Sequence, residues 1–506
     1  MTALFSPCHI NFIFIFAFFV SEKNHLFIIR KKILIVCCLS CINFAVLGQD
    51  TSFPTADSSA IQKLHPTDSV SKLRVRNVVI TGNKKTKSYI ILRELHFKTG
   101  DSILIETLGK QLQKAHDQIY NTTLFIEVKV TPEIINEFDF DIHVAVKERW
   151  YIIPIPSFQL ADRSFNEWLV KYNGSLKRVN YGVRLYYYNI SGRNDQLTLA
   201  LINGFNRNIS FEYKAPYTNS ALSEGVIFGA GFLQTRQIPY KTDYNNNLIY
   251  YKNDDFVKNE WYVTAAYSSR KAIKKKEIFS VSFRHIKVDD SLLTHQYNPA
   301  YFNNTSSSQN FLEVGYRVQF TDVDNILYPL KGYATSLFLL KRGLELKGGI
   351  NRFIIRTTFN KYFSHRHNWY SSARFTGQVE VPFNQPYINQ RAVGYLEDYL
   401  RGDEYFAIDG VAFGLGKFDI KKRLLHFNIP TFLKSKTYNK LPFTIYGKTF
   451  FDAGYVYSQN NFNTRLNNRF LYSGGFGIDI ITLYDYKLSI ECSFNQLGQK
   501  GLFLHN

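Results

Sequence analysis

The sequence predicts an all-β protein: a transmembrane antiparallel β-barrel that follows a small α+β domain. Three observations support this fold class. Apolar and polar residues alternate in segment after segment from Trp150 onward, and tyrosine and phenylalanine are abundant, with 34 and 44 of the 506 residues. Aromatic residues favour strands over helices, and this aromatic content excludes intrinsic disorder. Beyond residue 48 no apolar run approaches the ~18 residues that a membrane helix needs, which excludes a bundle of membrane helices.

The first 48 residues have the pattern of a signal peptide. A basic run at 30–32 precedes an apolar run at 33–47, and Val46 and Gly48 fit a small-residue cleavage site. This leader predicts export from the cytoplasm. The following segment, 49–72, is rich in Ser, Thr, Asp and Pro without periodicity, so it predicts a flexible linker.

Residues 73–149 predict a compact α+β domain with the element order β-α-α-β-β. The first expected element is a strand that ends near Thr81. A helix capped by Thr86 follows and carries Tyr89, Ile90, Arg93 and Glu94, and a second helix covers 105–120. Strands are expected over 125–130 and 138–146, the last with Phe138, Phe140, Ile142, Val144 and Val146 on one face. Helices and strands with apolar faces of this kind bury one shared core.

This order of elements resembles a POTRA domain, the periplasmic module of the BamA/TamA outer-membrane assembly family. The matching positions include Gly82, Asn83, Arg93, Glu94, Gly100 and Asp101. The resemblance implies a docking module that pairs the edge of its sheet with client or partner chains. The unpaired backbone groups of an edge strand suit such β-augmentation. A generic small α+β domain is the alternative.

Residues 150–506 predict the barrel. In the stretch 279–284, for example, Phe, Val and Phe alternate with Ser, Ser and Arg. A soluble sandwich would alternate in the same way, but export and the many aromatic residues favour a membrane barrel. The backbone polar groups of a sheet in lipid must all be paired, so the sheet must close. Sixteen strands, the number that the family resemblance implies, leave roughly 22 residues for each strand with its loop.

The segment 394–406 resembles the [VIL]-R-G-[FY] motif on the sixth extracellular loop of the same family, which folds into the barrel lumen. The matching residues are Leu400, Arg401 and Gly402. Asp403 stands where the family has an aromatic residue, and Tyr405 is the candidate for that aromatic contact. A solvated loop is the alternative interpretation of this segment.

The resemblance also implies that Arg401 pairs with acidic residues on late strands. Asp452 lies in an F-x-D-x-G pattern, and Asp419 lies on the charged face of the stretch 417–421. A guanidinium in a confined lumen binds a carboxylate through two hydrogen bonds. The alternative is that Asp419 and Asp452 are ordinary lumen-facing acids.

Two further patterns extend the resemblance. Asp324, Pro329 and Gly332 form a D-x4-P-x2-G hairpin pattern. The C-terminal strand signal of the family, alternate apolar residues that end in an aromatic, is matched by Leu488, Ile490, Cys492 and Phe494. The chain continues to Asn506, so this signal is internal.

Enzyme motifs are missing from the sequence. The stretch 82–86 lacks the upstream glycine of a phosphate loop, His365 and His367 lack a third metal ligand with suitable spacing, and beyond the leader Cys492 is the single cysteine. The net charge of +20 is dispersed over alternating positions, which favours solvated strand faces over a nucleic-acid footprint. The sequence therefore predicts no enzyme, no cofactor, no metal site and no nucleic-acid partner.

The resemblance implies a protein of the bacterial outer membrane, with its POTRA-like domain in the periplasm, that inserts or translocates β-rich polypeptides without ATP. The expected partners are outer-membrane lipid and lipopolysaccharide, unfolded β-rich clients, and periplasmic chaperones or accessory proteins. A two-partner-type secretion pore, a passive anion porin and an outer-membrane enzyme are the alternatives. A single POTRA unit indicates a specialised or accessory member, because the main assembly machine carries several.

Overall fold

The computed structural model describes residues 72–161, 173–302, 306–344, 350–395, 398–431, 440–459 and 464–505. The predicted leader, and the predicted linker up to residue 71, lie outside the described residues. The described part is mainly strand, which confirms the predicted fold class. None of its helices combines the length and the apolar character that crossing a membrane requires.

The N-terminal α+β domain is a four-stranded sheet covered by two helices. Its elements are β1 (Lys72–Thr81), α1 (Ser88–Leu92), β2 (Ser102–Leu104), α2 (Ile105–Tyr120), β3 (Phe125–Ile134) and β4 (Asp139–Glu148). The strand order is β2-β1-β4-β3, in which β1 and β4 are parallel and the other pairs are antiparallel. The short strand β2 adds to the predicted order, and β3 is left as an edge of the sheet.

The core of this domain explains its elements. Four residues of α2 at helical spacing are buried against the sheet: Leu108, Leu112, Ala115 and Ile119. From β4, Phe140, Ile142 and Val144 enter the same core. Fully burying side chains of this size is worth about 1.5–3 kcal/mol each, so the shared core accounts for the fold of the domain.

Three local predictions in this domain were wrong. Lys87, not Thr86, is the N-cap of α1, and the helix ends at Leu92, before Arg93 and Glu94. The Thr86 hydroxyl instead lies 3.0 Å from the Tyr151 hydroxyl, because the start of the barrel packs against this loop. Phe138 precedes β4 and is 72% exposed, since the turn places it outside the sheet.

The barrel is a sixteen-stranded antiparallel sheet in which strands follow one another in chain order. Its strands are β5 (Ile152–Leu160), β6 (Val179–Tyr188), β7 (Gln196–Gly204), β8 (Asn206–Ala215), β9 (Glu224–Thr235), β12 (Lys258–Ser269), β13 (Lys275–Val288), β14 (Ser308–Val323), β15 (Gly332–Arg342), β16 (Arg352–Ser364), β17 (Trp369–Val381), β20 (Ala412–Pro430), β21 (Lys440–Tyr457), β22 (Phe470–Thr482), β23 (Tyr486–Asn495) and β24 (Lys500–His505). Two small hairpins lie in its loops, β10 (Gln237–Thr242) with β11 (Leu248–Lys252) and β18 (Arg391–Val393) with β19 (Ile408–Asp409).

The alternation along the strands sorts side chains between the lipid face and the lumen. On β13, Phe279 and Val281 are exposed, whereas Ser280, Ser282 and Arg284 are buried. The apolar residues therefore form the outer face, as a barrel in lipid requires. In the strand order of this sheet, β5 and β24 are the two terminal strands.

Candidate functional site in the barrel lumen

The segment between β17 and β20 (residues 382–411, here the inner loop) enters the barrel. Residues 396 and 397 of this loop lie outside the described residues. Its entry is held by Asp398, which accepts two hydrogen bonds from the Arg356 guanidinium on β16 at 2.6 and 2.7 Å. The loop is thus tied to the barrel wall immediately before the predicted motif.

Arg401 is the centre of the site. Its Nε lies 3.0 and 3.2 Å from the two carboxylate oxygens of Asp452 on β21, its Nη2 donates to the same carboxylate, and its backbone N–H donates to Asp452 Oδ2 at 3.0 Å. Asp419 on β20 accepts from Nη1 at 2.5 Å. The guanidinium lies 4.0 Å from the ring centroid of Phe450. Arg401 therefore joins the inner loop to two neighbouring strands.

The residues beside Arg401 fix the loop further. Leu400 is buried in a cluster of side chains from β20, β21 and β22. Gly402 has φ +95°, and a Cβ at this position would lie 3.0 Å from Ser493 Cβ, so the close approach to β23 requires glycine. The Asn495 amide donates to the Gly402 carbonyl at 3.0 Å and to the Asp403 carboxylate at 2.8 Å.

A second ionic cluster lies next to Arg401, toward the end of β21 that is nearer the α+β domain. Lys448 Nζ is 2.5 Å from Asp479 on β22 and 2.5 Å from Glu491 on β23. Tyr328 donates from its hydroxyl to Asp479 at 2.8 Å. This tyrosine comes from the D-x4-P-x2-G turn between β14 and β15, so its side chain crosses the lumen. Glu491 lies 3.9 Å from Arg401 Nη1 and connects the two clusters.

Sequence reasoning missed Tyr328, Asp479 and Asn495. Lys448 lies four residues before Asp452 on the same strand, so alternation puts both on one face, but nothing in one strand indicates which residue of another strand reaches it. The available signal for Tyr328 was the hairpin pattern around it, which predicts a turn and not the direction of the side chain.

This arrangement holds the inner loop and the neighbouring strands together through buried ion pairs. Buried cations and carboxylates alternate in space, and removing one partner of such a pair costs about 3–5 kcal/mol because the other charge is left buried. Within the described ranges no three His, Cys, Asp or Glu residues are grouped so as to hold a metal ion. The ion pairs of Arg401 with Asp419 and Asp452 suit the site to holding the loop in place.

The predicted POTRA residues take three kinds of position. Gly82 (φ +88°) approaches the backbone of Val146, where a Cβ would lie 1.9 Å from the carbonyl oxygen. Asn83 donates to the Thr86 carbonyl at 3.0 Å. The loop before β2 has Gly100 at φ +93° and Asp101, whose carboxylate accepts from the Lys98 backbone at 2.7 Å. Arg93 and Glu94, by contrast, face the barrel.

Glu94 forms a buried ion pair with a barrel residue. Arg270, in the turn between β12 and β13, donates to its two carboxylate oxygens at 2.5 and 2.8 Å. The Tyr217 hydroxyl lies 2.8 Å from the Arg270 guanidinium and donates to Glu94 at 3.3 Å. Arg93 donates to the carbonyl oxygens of Leu222 and Arg270. No local pattern in the sequence indicates this pairing.

Other turns at the same end of the barrel also contact the α+β domain. The Asn189 amide donates to the Thr86 hydroxyl at 2.9 Å. At the end of α2, the Tyr120 hydroxyl donates to Asp485 at 2.7 Å and the Asn121 amide donates to the Val323 carbonyl at 2.9 Å. Burial raises the pKa of both Tyr120 and Asp485. The domain therefore lies across the mouth of the barrel and contacts turns on several sides of it.

The predicted C-terminal strand signal lies on β23, and β24 follows it. Phe494 is exposed on the outer face, whereas Ser489, Glu491 and Ser493 are buried on the lumen face. The signal thus belongs to the strand before the last described strand.

Comparisons with known proteins were made for the sequence and for the fold. Residues 73–149 match the family model described as POTRA, surface antigen variable number repeat. No curated protein sequence matches the chain.

Among solved structures, the chain is similar to BamA from Haemophilus ducreyi lacking POTRA domains 1–3, with 14% identity and a TM-score of 0.47 over 85% of this chain and 83% of that one. It is also similar to CdiB from Acinetobacter baumannii, with 13% identity and a TM-score of 0.43 over 85% and 73% of the two chains. For CdiB from Escherichia coli, the identity is 10% and the TM-score 0.47 over 94% and 96%.

The family match and the observed sheet give one architecture. The matched domain precedes a sixteen-stranded antiparallel sheet with an apolar outer face and a polar interior. The chain thus combines a domain similar to POTRA with a sixteen-stranded antiparallel sheet of the barrel type.

Proposed function

We propose that this protein inserts β-rich polypeptides into the outer membrane, or translocates them across it, without ATP. The observation that carries the proposal is the arrangement of the terminal strands. In the described residues β5 and β24 stand at the two ends of the strand order, and no ladder joins them. A barrel with such a seam offers strand edges to a client strand inside the membrane.

The composition of β5 supports a weak seam. Pro154 and Pro156 both lie on this strand, and proline has no N–H to donate to a ladder, so it is confined to edge strands. On the other side of the seam, β24 pairs with β23 over six residue pairs only, from Ser489↔His505 to Phe494↔Lys500. Detaching β24 from β23 would therefore break few hydrogen bonds.

The POTRA domain supplies the entry point in this proposal. Strand β3 is an edge of its sheet, so an extended client can add to it by β-augmentation. The domain lies across the barrel mouth through the Glu94–Arg270 pair, and the client reaches the lumen or the seam when this pair opens. Arg401 holds the inner loop against β20 and β21 until the seam between β5 and β24 separates.

A passive porin is disfavoured by the same contacts. The inner loop, the Tyr328 side chain and the docked domain all occupy the path through the barrel. A pore for free diffusion requires an open lumen, whereas ion pairs cross this one.

Depletion of the protein, followed by quantification of the outer-membrane proteome, tests the proposal. We expect other β-barrel proteins to decrease, with restoration by the native chain and not by Arg401→Ala. A loss confined to one exported polypeptide would favour the secretion pore instead. An unchanged proteome and secretome would contradict the proposed function.

A further inference from the structure

The inner loop contacts the terminal strand of the barrel as well as the strands that bind Arg401. On β24, Leu502 and Leu504 point outward and are 71% and 69% exposed, whereas Phe503 is buried on the lumen side. His505 shares the lumen side with Phe503 because strand residues two apart face the same way. These two side chains meet the inner loop.

Two aromatic contacts join the loop to β24. The rings of Tyr405 and Phe503 have centroids 5.6 Å apart. The rings of Tyr399 and His505 are stacked at 5.6 Å, and the Tyr399 hydroxyl lies 3.3 Å from His505 Nδ1. Aromatic pairs in this range attract each other beyond the effect of the area that they bury. Tyr405 thus makes an aromatic contact with the seam strand.

An ion pair supplements these contacts. His505 Nε2 lies 3.0 Å from the Glu404 carboxylate of the inner loop and 3.2 Å from the Glu491 carboxylate of β23. Glu491 also contacts Lys448. The imidazole therefore lies between a carboxylate of the loop and a carboxylate of the wall, next to the ionic clusters of the lumen.

We propose that residues 399–405 form a latch that holds β24 in place, so that the terminal strand and the Arg401 loop are released together. The proposal rests on the proposed function for its purpose: a latch on β24 controls when the seam opens. Strand β24 has hydrogen-bonded neighbours on one side only, which makes contacts of its lumen face a large part of what holds it. His505 and Glu404 are positioning residues in this latch.

Hydrogen–deuterium exchange on the full-length protein in lipid nanodiscs tests the latch without any assay of client insertion. We expect His505→Gln and Glu404→Gln each to speed the exchange of both 500–505 and 398–405 by about tenfold, because contacts to charged groups are worth more than a tenfold equilibrium shift. The double variant should add little, since each change breaks the same pair. The matched control is His285→Gln on β13, where the imidazole Nδ1 lies 2.6 Å from Asn310 Oδ1.

A covalent version keeps the test decisive where a variant folds poorly. In a Cys492→Ser background, the pair Tyr405→Cys/Phe503→Cys is bridged with a short thiol crosslinker, which should slow exchange in 500–505 until it is cleaved. The control pair, Phe427→Cys/Phe443→Cys, replaces two aromatics whose centroids are 5.7 Å apart on β20 and β21 and should leave β24 unchanged. The proposal would be overturned if the exchange rate of β24 were the same in every latch variant as in the native protein. Failure of client insertion alone would bear on the proposed function and not on the latch.

Discussion

At the scale of single residues, Arg401 shows why a buried charge can fix a long loop. Its guanidinium is buried among its partners, with Asp452 and Asp419 as acceptors and the Phe450 ring beneath it. A buried ion pair is weak evidence for net stability, but breaking it by removing one partner is costly. The pair therefore specifies where the loop lies, and a loop displaced from the lumen leaves two carboxylates without a cation.

The Arg401–Asp452 pair is testable by a double-mutant cycle. We expect Arg401→Ala and Asp452→Ala each to destabilise the folded barrel by about 3–5 kcal/mol, and the double variant to be less damaging than the sum because neither charge is then left alone. The measurement is the temperature at which the folded band is lost on unboiled gels, together with complementation.

The control for this cycle is Arg374→Ala on β17, which removes an exposed hydrogen bond to the neutral Asn360. It should change the transition temperature little. Strictly additive effects of the two changes would remove the proposed pairing, and full activity of Arg401→Ala would remove its functional role.

At the scale of elements, the POTRA domain is held to the barrel by turns that are distant in the sequence. Arg270 is the central contact of this interface because its guanidinium pairs with the fully buried Glu94 carboxylate. We expect Arg270→Ala to undock the domain. If the domain stayed docked, the buried Glu94 carboxylate would lose its two hydrogen bonds from Arg270 and would depend on its ion pair with Arg93. The measurement is amide exchange of α1 and of the turn 217–222, which should increase together.

The control for undocking is Arg236→Ala. This residue lies at the other end of the barrel, 4.3 Å from the ring centroid of Phe256, and has no part in the POTRA interface. Unchanged protection of α1 in Arg270→Ala would show that other contacts suffice to hold the domain.

The α+β domain should also fold without the barrel. A fragment of residues 73–148 contains the helices and strands that build the core, so we expect a cooperative melting curve and a mixed α/β circular dichroism spectrum. Leu112→Ala should lower its stability by about 2–5 kcal/mol, because Leu112 is fully buried in α2. A fragment that melts without cooperativity would place the domain boundary elsewhere.

At the scale of the whole molecule, the sixteen-stranded sheet predicts the behaviour of a membrane barrel. Its ladders run in chain order from β5 to β24 and leave edges only at the seam, so the folded state should resist detergent until it is heated. We expect the protein in the outer-membrane fraction, with faster gel mobility before boiling than after. Recovery from the cytoplasm, or equal mobility with and without boiling, would contradict a barrel.

The sequence by itself determined the fold class and most of the elements. A two-residue period sorts side chains onto two faces of a strand, and a helical period does the same for α2. Both patterns are local, so a single sequence is enough to recognise them. The motif around Arg401 and the acids at 419 and 452 were likewise identified by local pattern and resemblance, and the structure brings them together.

Tertiary structure alone decided which distant residues meet. Closure of the sheet brings Tyr328 across the lumen to Asp479, docking brings Arg270 to Glu94, and entry of the inner loop brings Glu404 to His505. Thr86 illustrates the same limit, because packing against Tyr151 overrides its local propensity to cap a helix. Each of these contacts joins segments far apart in the chain, and side-chain periodicity carries no information about which strand or turn lies opposite another.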